Sequence, residues 1–82
     1  FCPMGPEIVT ADEVGDPAAL RLVTRVNGTI RQDALVADLI FDIPHLIATI
    51  SQFVTLLPGD IIATGTPAGV GIGFTPPRYL VA

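Results

Sequence analysis

One stretch of this sequence gathers the residue types that could meet a ligand: Gly59-Asp60-Ile61-Ile62-Ala63-Thr64-Gly65-Thr66-Pro67-Ala68-Gly69-Val70-Gly71. Glycines let a backbone approach a ligand closely and turn successive N–H groups into a concavity suited to an anion. Thr64 and Thr66 add hydroxyls able to donate to a carboxylate or an enolate oxygen. The stretch is not a P-loop, because no Gly-Lys-Ser/Thr follows it. Nor is it a dinucleotide fingerprint, since no helical pattern follows. A β-rich protein also needs Gly and Pro to turn corners, and spacing alone favours that plainer account.

The remaining chemistry is sparse. There is no Glu-x-Glu, no second His and no Lys. Asp12, Glu13 and Asp16 crowd one polar turn, but they lack the alternating spacing of a calcium loop, so a solvated turn is expected. His45 stands alone near a helix start, which suits a surface or interface histidine better than a general base. Thr49 and Ser51 fall on the same helix and should hydrogen-bond locally. The single cysteine, Cys2, cannot close an internal disulfide and reads as a small buried hydrophobe. These residues do not assemble a complete active site.

The elements that must carry Thr66 can be read from pattern. Residues 7–10 form a short strand candidate that closes into a polar turn over 11–17. Residues 19–26 alternate, with Leu20, Leu22, Thr24 and Val26 on one face and Arg21, Val23 and Arg25 on the other. Asn27-Gly28 follows, the pair best suited to a type I′ turn, in which both central residues need positive φ. A return strand over 29–33 then pairs Val26 with Thr29 and Arg25 with Ile30. Asp42 is placed to cap a helix, with Pro44 in its first turn where a missing N–H costs nothing. Ile43, Leu46, Ile47, Ile50 and Val54 make one apolar face of that helix, over about 43–54. Leu57-Pro58-Gly59-Asp60 is a tight turn, 61–64 a short buried strand, and the Gly-rich stretch an irregular loop leaving it.

Composition sets the outer limits. Eighty-two residues of 8.6 kDa amount to one small domain. Such a domain should expose ~4700 Å² of the ~12500 Å² its unfolded chain would show. Small domains carry the most surface per residue and should be the most polar. This chain reverses that, with 50% hydrophobic residues, 15% charged and a mean hydropathy of +0.65. Eight of the twelve charged side chains lie within residues 1–33, so the first third should be the wetter part. The composition and the start at Phe1 without Met lead to the expectation of a piece of a longer protein. A net charge of −4, with four Arg, offers no basic footprint for nucleic acid or an anionic membrane. The charge-free runs over 43–59 and 61–77 are broken by Pro, Gly and polar residues, so neither is expected to span a membrane, and a cytoplasmic protein is expected.

Taken together, several blocks carry a family resemblance. They are Phe1-Cys2-Pro3-Met4-Gly5-Pro6, Val26-Asn27-Gly28, Arg31-Gln32, Ile40-Phe41, Ile43-Pro44, Ser51 and the stretch from Gly59 to Gly71. In this order they resemble the later part of the C-terminal catalytic domain of the fumarylacetoacetate hydrolase family. Val36, Leu39 and Thr29 stand where the family often has Thr, Met and an acidic residue, and none of the three bears on the chemistry.

The resemblance implies a mixed α/β, mostly β fold. Residues 1–82 would be the later part of a single catalytic domain, belonging to a β roll with one amphipathic helix and commonly forming a homodimer. It also implies a divalent-metal enzyme acting on 2-oxo or 2-hydroxy-dienoic acids, by C–C hydrolysis of acylpyruvates, decarboxylation, keto–enol isomerisation or hydration. Mg²⁺ or Mn²⁺ would be held by upstream carboxylates that this sequence does not contain. Thr66 matches the family's substrate-binding Gly-Thr position, with Gly65 allowing the acid end of a keto acid to approach and Thr64 left to a structural role. Arg31 and Gln32 are prominent in the resemblance, but a strand position directly after a hairpin suits packing or a subunit contact at least as well, and both are left out of the site. A family member that kept its fold and dimer but lost catalysis, serving as a scaffold, is the competing reading. The isolated chain is expected to be inactive and poorly soluble, because its apolar faces lack a cover.

Overall fold

The computed structural model describes residues 2–81; Phe1, which opens the first motif block, and Ala82 lie outside the described residues. A one-turn helix α1 (Ala11–Val14) comes first. Two larger elements then organise the chain, a β-hairpin and a second helix. Strand β1 (Arg21–Val26) pairs antiparallel with β2 (Thr29–Leu35), and helix α2 (Ile43–Ser51) follows. Short 3₁₀ turns lie at Pro17–Ala19, Val36–Asp38 and Gly71–Gly73.

The hairpin forms as its turn chemistry dictates. Asn27 and Gly28 take φ of 50° and 78°. Both are positive, as a type I′ turn demands. Val26 opposes Thr29 and Arg25 opposes Ile30, the expected register. Beyond that point β2 bulges: Thr24 opposes Gln32, so Arg31 is the extra residue without its own cross-strand partner. Every later residue of β2 is thereby shifted by one place against β1, which in a strand of period two exchanges its faces. Diagonally across the hairpin, Arg21 donates from Nε and Nη2 to the two carboxylate oxygens of Asp33, the Nε contact at 2.6 Å. Such a fork-on-fork pair is the stronger kind of charge-assisted hydrogen bond.

Helix α2 begins where its cap predicts. The Asp42 carboxylate accepts from the His45 amide at 2.8 Å, and Pro44 sits in the first turn. One of the free amides of the helix start is satisfied in this way. The helix ends earlier than the apolar spacing suggests, at Ser51. There the Ser51 hydroxyl donates back to Ala48 O at 3.0 Å, and the Phe53 amide turns to Ile50 O in a tighter turn. A hydroxyl bonded to its own backbone competes with the regular ladder. The apolar pattern through Val54 thus ends in a turn outside the regular helix.

Other expectations fail for a common reason. Residues 7–10 and 61–64 are not strands, Ile61 is 62% exposed, and Cys2 is exposed where burial was expected. A strand needs a neighbour to hydrogen-bond and a buried residue needs a facing layer, and neither segment has one among the described residues. The fold of the described residues is mixed α/β, with strands of six and seven residues and α-helices of four and nine. Within the turn expected at 11–17, α1 forms instead, with Asp12 and Glu13 in its first turn as the helix dipole favours.

No side chain among the described residues is buried, and the chain exposes 7287 Å². A self-contained domain of this mass would expose only about 4700 Å². The radius of gyration is 15.1 Å. A compact domain of this length would have one of about 12 Å. The wetness expected to be concentrated in the first third therefore extends over the whole chain. Ile40 at 91% and Phe53 at 81% exposure show how much apolar surface lies open. Prepared alone, the chain is expected to bind a hydrophobic dye such as ANS and to self-associate, measured by fluorescence and sedimentation. Monomeric sedimentation without dye binding would contradict this.

The Arg21–Asp33 pair yields a second test. Hydrogen bonds from Arg21 hold the Asp33 carboxyl below its ordinary value, with the charges of Arg21 and Arg25 adding to the effect against partial desolvation. A depressed carboxyl stabilises the fold above its unfolded pKa of about 3.9, and that contribution fades as pH falls through the depressed value. Arg21→Ala should move the Asp33 titration to higher pH, read from its side-chain carbon shift by NMR.

Candidate functional site

Thr66 is carried by a loop with fixed anchors at both ends. At its start, the Leu57-Pro58-Gly59-Asp60 turn closes with Gly59 at φ 93°, the Asp60 amide donating to Leu57 O at 3.0 Å. The Asp60 carboxylate accepts from the Leu57 amide at 2.8 Å and locks the turn. An acidic side chain that accepts from an amide three residues before it adds a local side-chain-to-backbone bond to the turn. Gly65 then takes φ 97°, and the space beside its α-carbon is open. That left-handed conformation is one that side chains rarely adopt. At the far end, Gly69 lies against β2, where a Cβ would collide with the Arg31 carbonyl oxygen. Only glycine permits that approach, so the loop packs directly on the bulged strand.

Gln32 completes the anchoring. Its amide nitrogen, Nε2, donates to Thr66 Oγ1 at 2.7 Å and to Pro67 O at 3.0 Å, joining residues 34 and 35 positions apart. The bulge makes this reach possible, because Arg31 and Gln32 are consecutive yet both half-buried beside the loop. Leaving Gln32 out of the site, as the sequence suggested, therefore misses its contact with Thr66. An Asn-Gly turn announces register but not a bulge three residues later, and no local signal links position 32 to position 66.

Two hollows meet at Thr66. One, of about 430 Å³, is mainly apolar, with Leu22, Leu39, Phe41 and Leu46 beside Thr64, Gly65 and Thr66. The other, of about 480 Å³, is lined by Thr66 and Gln32 together with Arg31, Phe74, Arg78 and Tyr79. Arg31 and Arg78 both place their guanidinium carbons over the Phe74 ring, at 5.8 and 5.2 Å from its centroid. Each is within the range of a cation–π contact. The second hollow thus has two cations and no acid among its lining residues, so a negatively charged ligand is favoured on that side of Thr66.

The other candidates stay apart from this site. His45 stacks on Phe41, ring centroids 5.0 Å apart and planes 16° off parallel, as a helix-surface histidine. The Asp12 carboxyl is held below its ordinary value, first by the Thr10 hydroxyl and then by backbone amides, against desolvation. Asp16 accepts from the Ala18 amide at 3.0 Å and caps the following turn. These carboxylates serve the local backbone, and no group of three or more His, Cys, Asp or Glu among the described residues could hold a metal ion.

Comparison with known proteins agrees with the motif blocks. Residues 1–82 match the model of the fumarylacetoacetate (FAA) hydrolase C-terminal family. Oxaloacetate tautomerase YisK of Bacillus subtilis (strain 168) is 56% identical over 79 residues, covering 96% of this chain and 26% of the relative. Uncharacterized proteins of Staphylococcus epidermidis and Staphylococcus aureus (strain USA300) are each 57% identical with the same coverage. The chain spans about a quarter of the length of these curated relatives. With the full length of the sequence matched, the chain belongs to the fumarylacetoacetate hydrolase family.

Proposed function

We propose that residues 1–82 are the later part of a single catalytic domain whose remaining strands complete the family's β roll. In this reading the enzyme is cytoplasmic and homodimeric, and it acts on 2-oxo or 2-hydroxy-dienoic acids. The open apolar faces of the hairpin and helix support a larger domain and a subunit partner. No helix among the described residues is long and apolar enough to cross a membrane.

The observation that carries the reading is the placement of Thr66 between two largely apolar hollows, one of which also carries the two arginines Arg31 and Arg78. A keto acid has two halves, a carboxylate with its 2-oxygen and a carbon tail. The acid end would lie by Thr66 and the arginine side, with Gly65 leaving room beside the loop. In keto–enol exchange, a proton leaves C3 and another arrives on the 2-oxygen, and negative charge gathers on that oxygen in between. A hydroxyl held in advance of that moment stabilises the charge without having to reorganise. The tautomerase name of the Bacillus relative, and the 2-oxo acid in that name, favour this reaction over C–C hydrolysis or decarboxylation.

Mg²⁺ or Mn²⁺ would supply Lewis-acid stabilisation in such an enzyme. The residues present here do not fit that ion, since no carboxylate or imidazole cluster among those described could hold it. Its ligands would lie elsewhere in the full-length protein, and the contribution of this chain is the hydroxyl and its setting.

In the full-length protein, Thr66→Val removes the hydroxyl at nearly constant volume. It should lower kcat/KM for oxaloacetate tautomerisation, followed by ultraviolet absorbance, by about 10²–10³-fold. Native kinetics would remove Thr66 from the site. A substrate panel including an acylpyruvate, run after chelation and after Mg²⁺ or Mn²⁺ return, should show turnover only with metal. Absence of turnover on every substrate under all conditions would leave the scaffold reading in its place.

A further inference from the structure

We infer that Gln32 is a positioning residue that sets the direction of the Thr66 hydroxyl proton; the inference rests on the reading of Thr66 as a substrate-binding donor. Pro67 fixes the amide first. Its carbonyl oxygen has no proton to give, so the Gln32 atom facing it at 3.0 Å must be the NH₂ group. This settles the orientation of the amide on chemical grounds. The same nitrogen lies 2.7 Å from Thr66 Oγ1. An amide nitrogen does not accept hydrogen bonds, so Thr66 must accept here and Gln32 must donate. Both amide hydrogens are then committed, one to the loop backbone and one to the hydroxyl.

The consequence falls on Thr66. A free threonine hydroxyl rotates and can donate or accept in several directions. With one lone pair taken by Gln32, its own proton must point away from β2. Accepting a hydrogen bond also polarises the O–H and strengthens it as a donor. Thr66 is thereby set to give a proton to an acceptor, which matches a carboxylate or enolate oxygen and disfavours a ligand that offers only donors. Rigidity comes from the surroundings: Gly69 lies against the Arg31 carbonyl, and the bulge seats Gln32 beside the loop.

The test uses the full-length protein and three variants. Gln32→Met keeps the chain length and removes the donor, and it should lower kcat for tautomerisation about tenfold with KM little changed. Added to Thr66→Val, it should cost clearly less than it does alone, because the part of its effect that acts through the Thr66 hydroxyl is already gone and only the loss of its bond to Pro67 O remains. Gln32→Glu supplies the distinguishing readout. Its carboxylate can only accept, so it would draw the Thr66 proton back toward β2, whereas its neutral acid form has one O–H that can donate to Thr66 Oγ1, restoring one of the two bonds the amide makes. That variant should be impaired near neutral pH and recover as pH falls, with an ionisation absent from the native kcat/KM profile. Arg31, Arg78 and Tyr79 on one side of Thr66, and Asp38 on the other, are present in both proteins, so a difference between the profiles belongs to the substitution.

Native kcat in Gln32→Met, with a native pH profile in Gln32→Glu, would overturn the inference while an impaired Thr66→Val left the functional reading standing. Native kinetics in Thr66→Val would bring down both. If Gln32→Met fails to fold by thermal unfolding, the profile of Gln32→Glu decides alone: acid recovery supports the inference, and a flat profile overturns it.

Discussion

A single side-chain amide ties this structure together. Gln32, on the second strand of a hairpin, reaches a loop that begins some thirty residues later and holds it at two adjacent points, Thr66 Oγ1 and Pro67 O. Hydrophobic burial does not hold the loop, since no side chain among the described residues is buried. What sets the loop against the strand is directional: two hydrogen bonds, and a glycine at position 69 close enough to the Arg31 carbonyl that no side chain could intervene. Short-range polar contacts of this kind define a geometry more sharply than apolar contact, which is indifferent to direction.

The bulge at Arg31 is what makes the tie available. A regular hairpin would send successive residues of β2 to opposite faces, leaving Arg31 and Gln32 on different sides. The extra residue breaks that alternation and places both beside the loop, where the Arg31 guanidinium lies over Phe74 and the Gln32 amide meets Thr66. Thr66 then stands where an apolar hollow meets one lined by two arginines. In a chain of net charge −4, that local reversal of sign is the feature that suits an anionic ligand.

The exposed apolar surface belongs to the same picture. Membership of the fumarylacetoacetate hydrolase family, and a length about a quarter of that of the relatives compared, accord with a chain whose hairpin and helix each present an open face. The segments over 7–10 and 61–64 have the residues of strands without the neighbours that strands require. Ile61 and Ile62 illustrate this: both are β-branched and suited to a sheet, yet one is exposed and the other half-buried.

Local features of this protein were written in the sequence by itself. The Asn27-Gly28 turn and its first two cross-strand pairs follow from the need for positive φ at both positions. The Asp42 cap and the start of α2 follow from the unmet amides of a helix N-terminus. Family membership was legible from motif blocks. The tertiary structure alone decided that Arg31 is a bulge, that α2 stops at Ser51, and that 61–64 is no strand in this chain. It also brought Gln32 to Thr66. Spacing along a chain reports contacts within a turn or a hairpin; an amide meeting a hydroxyl 34 residues away depends on how a strand bulges and where a glycine lets a loop settle.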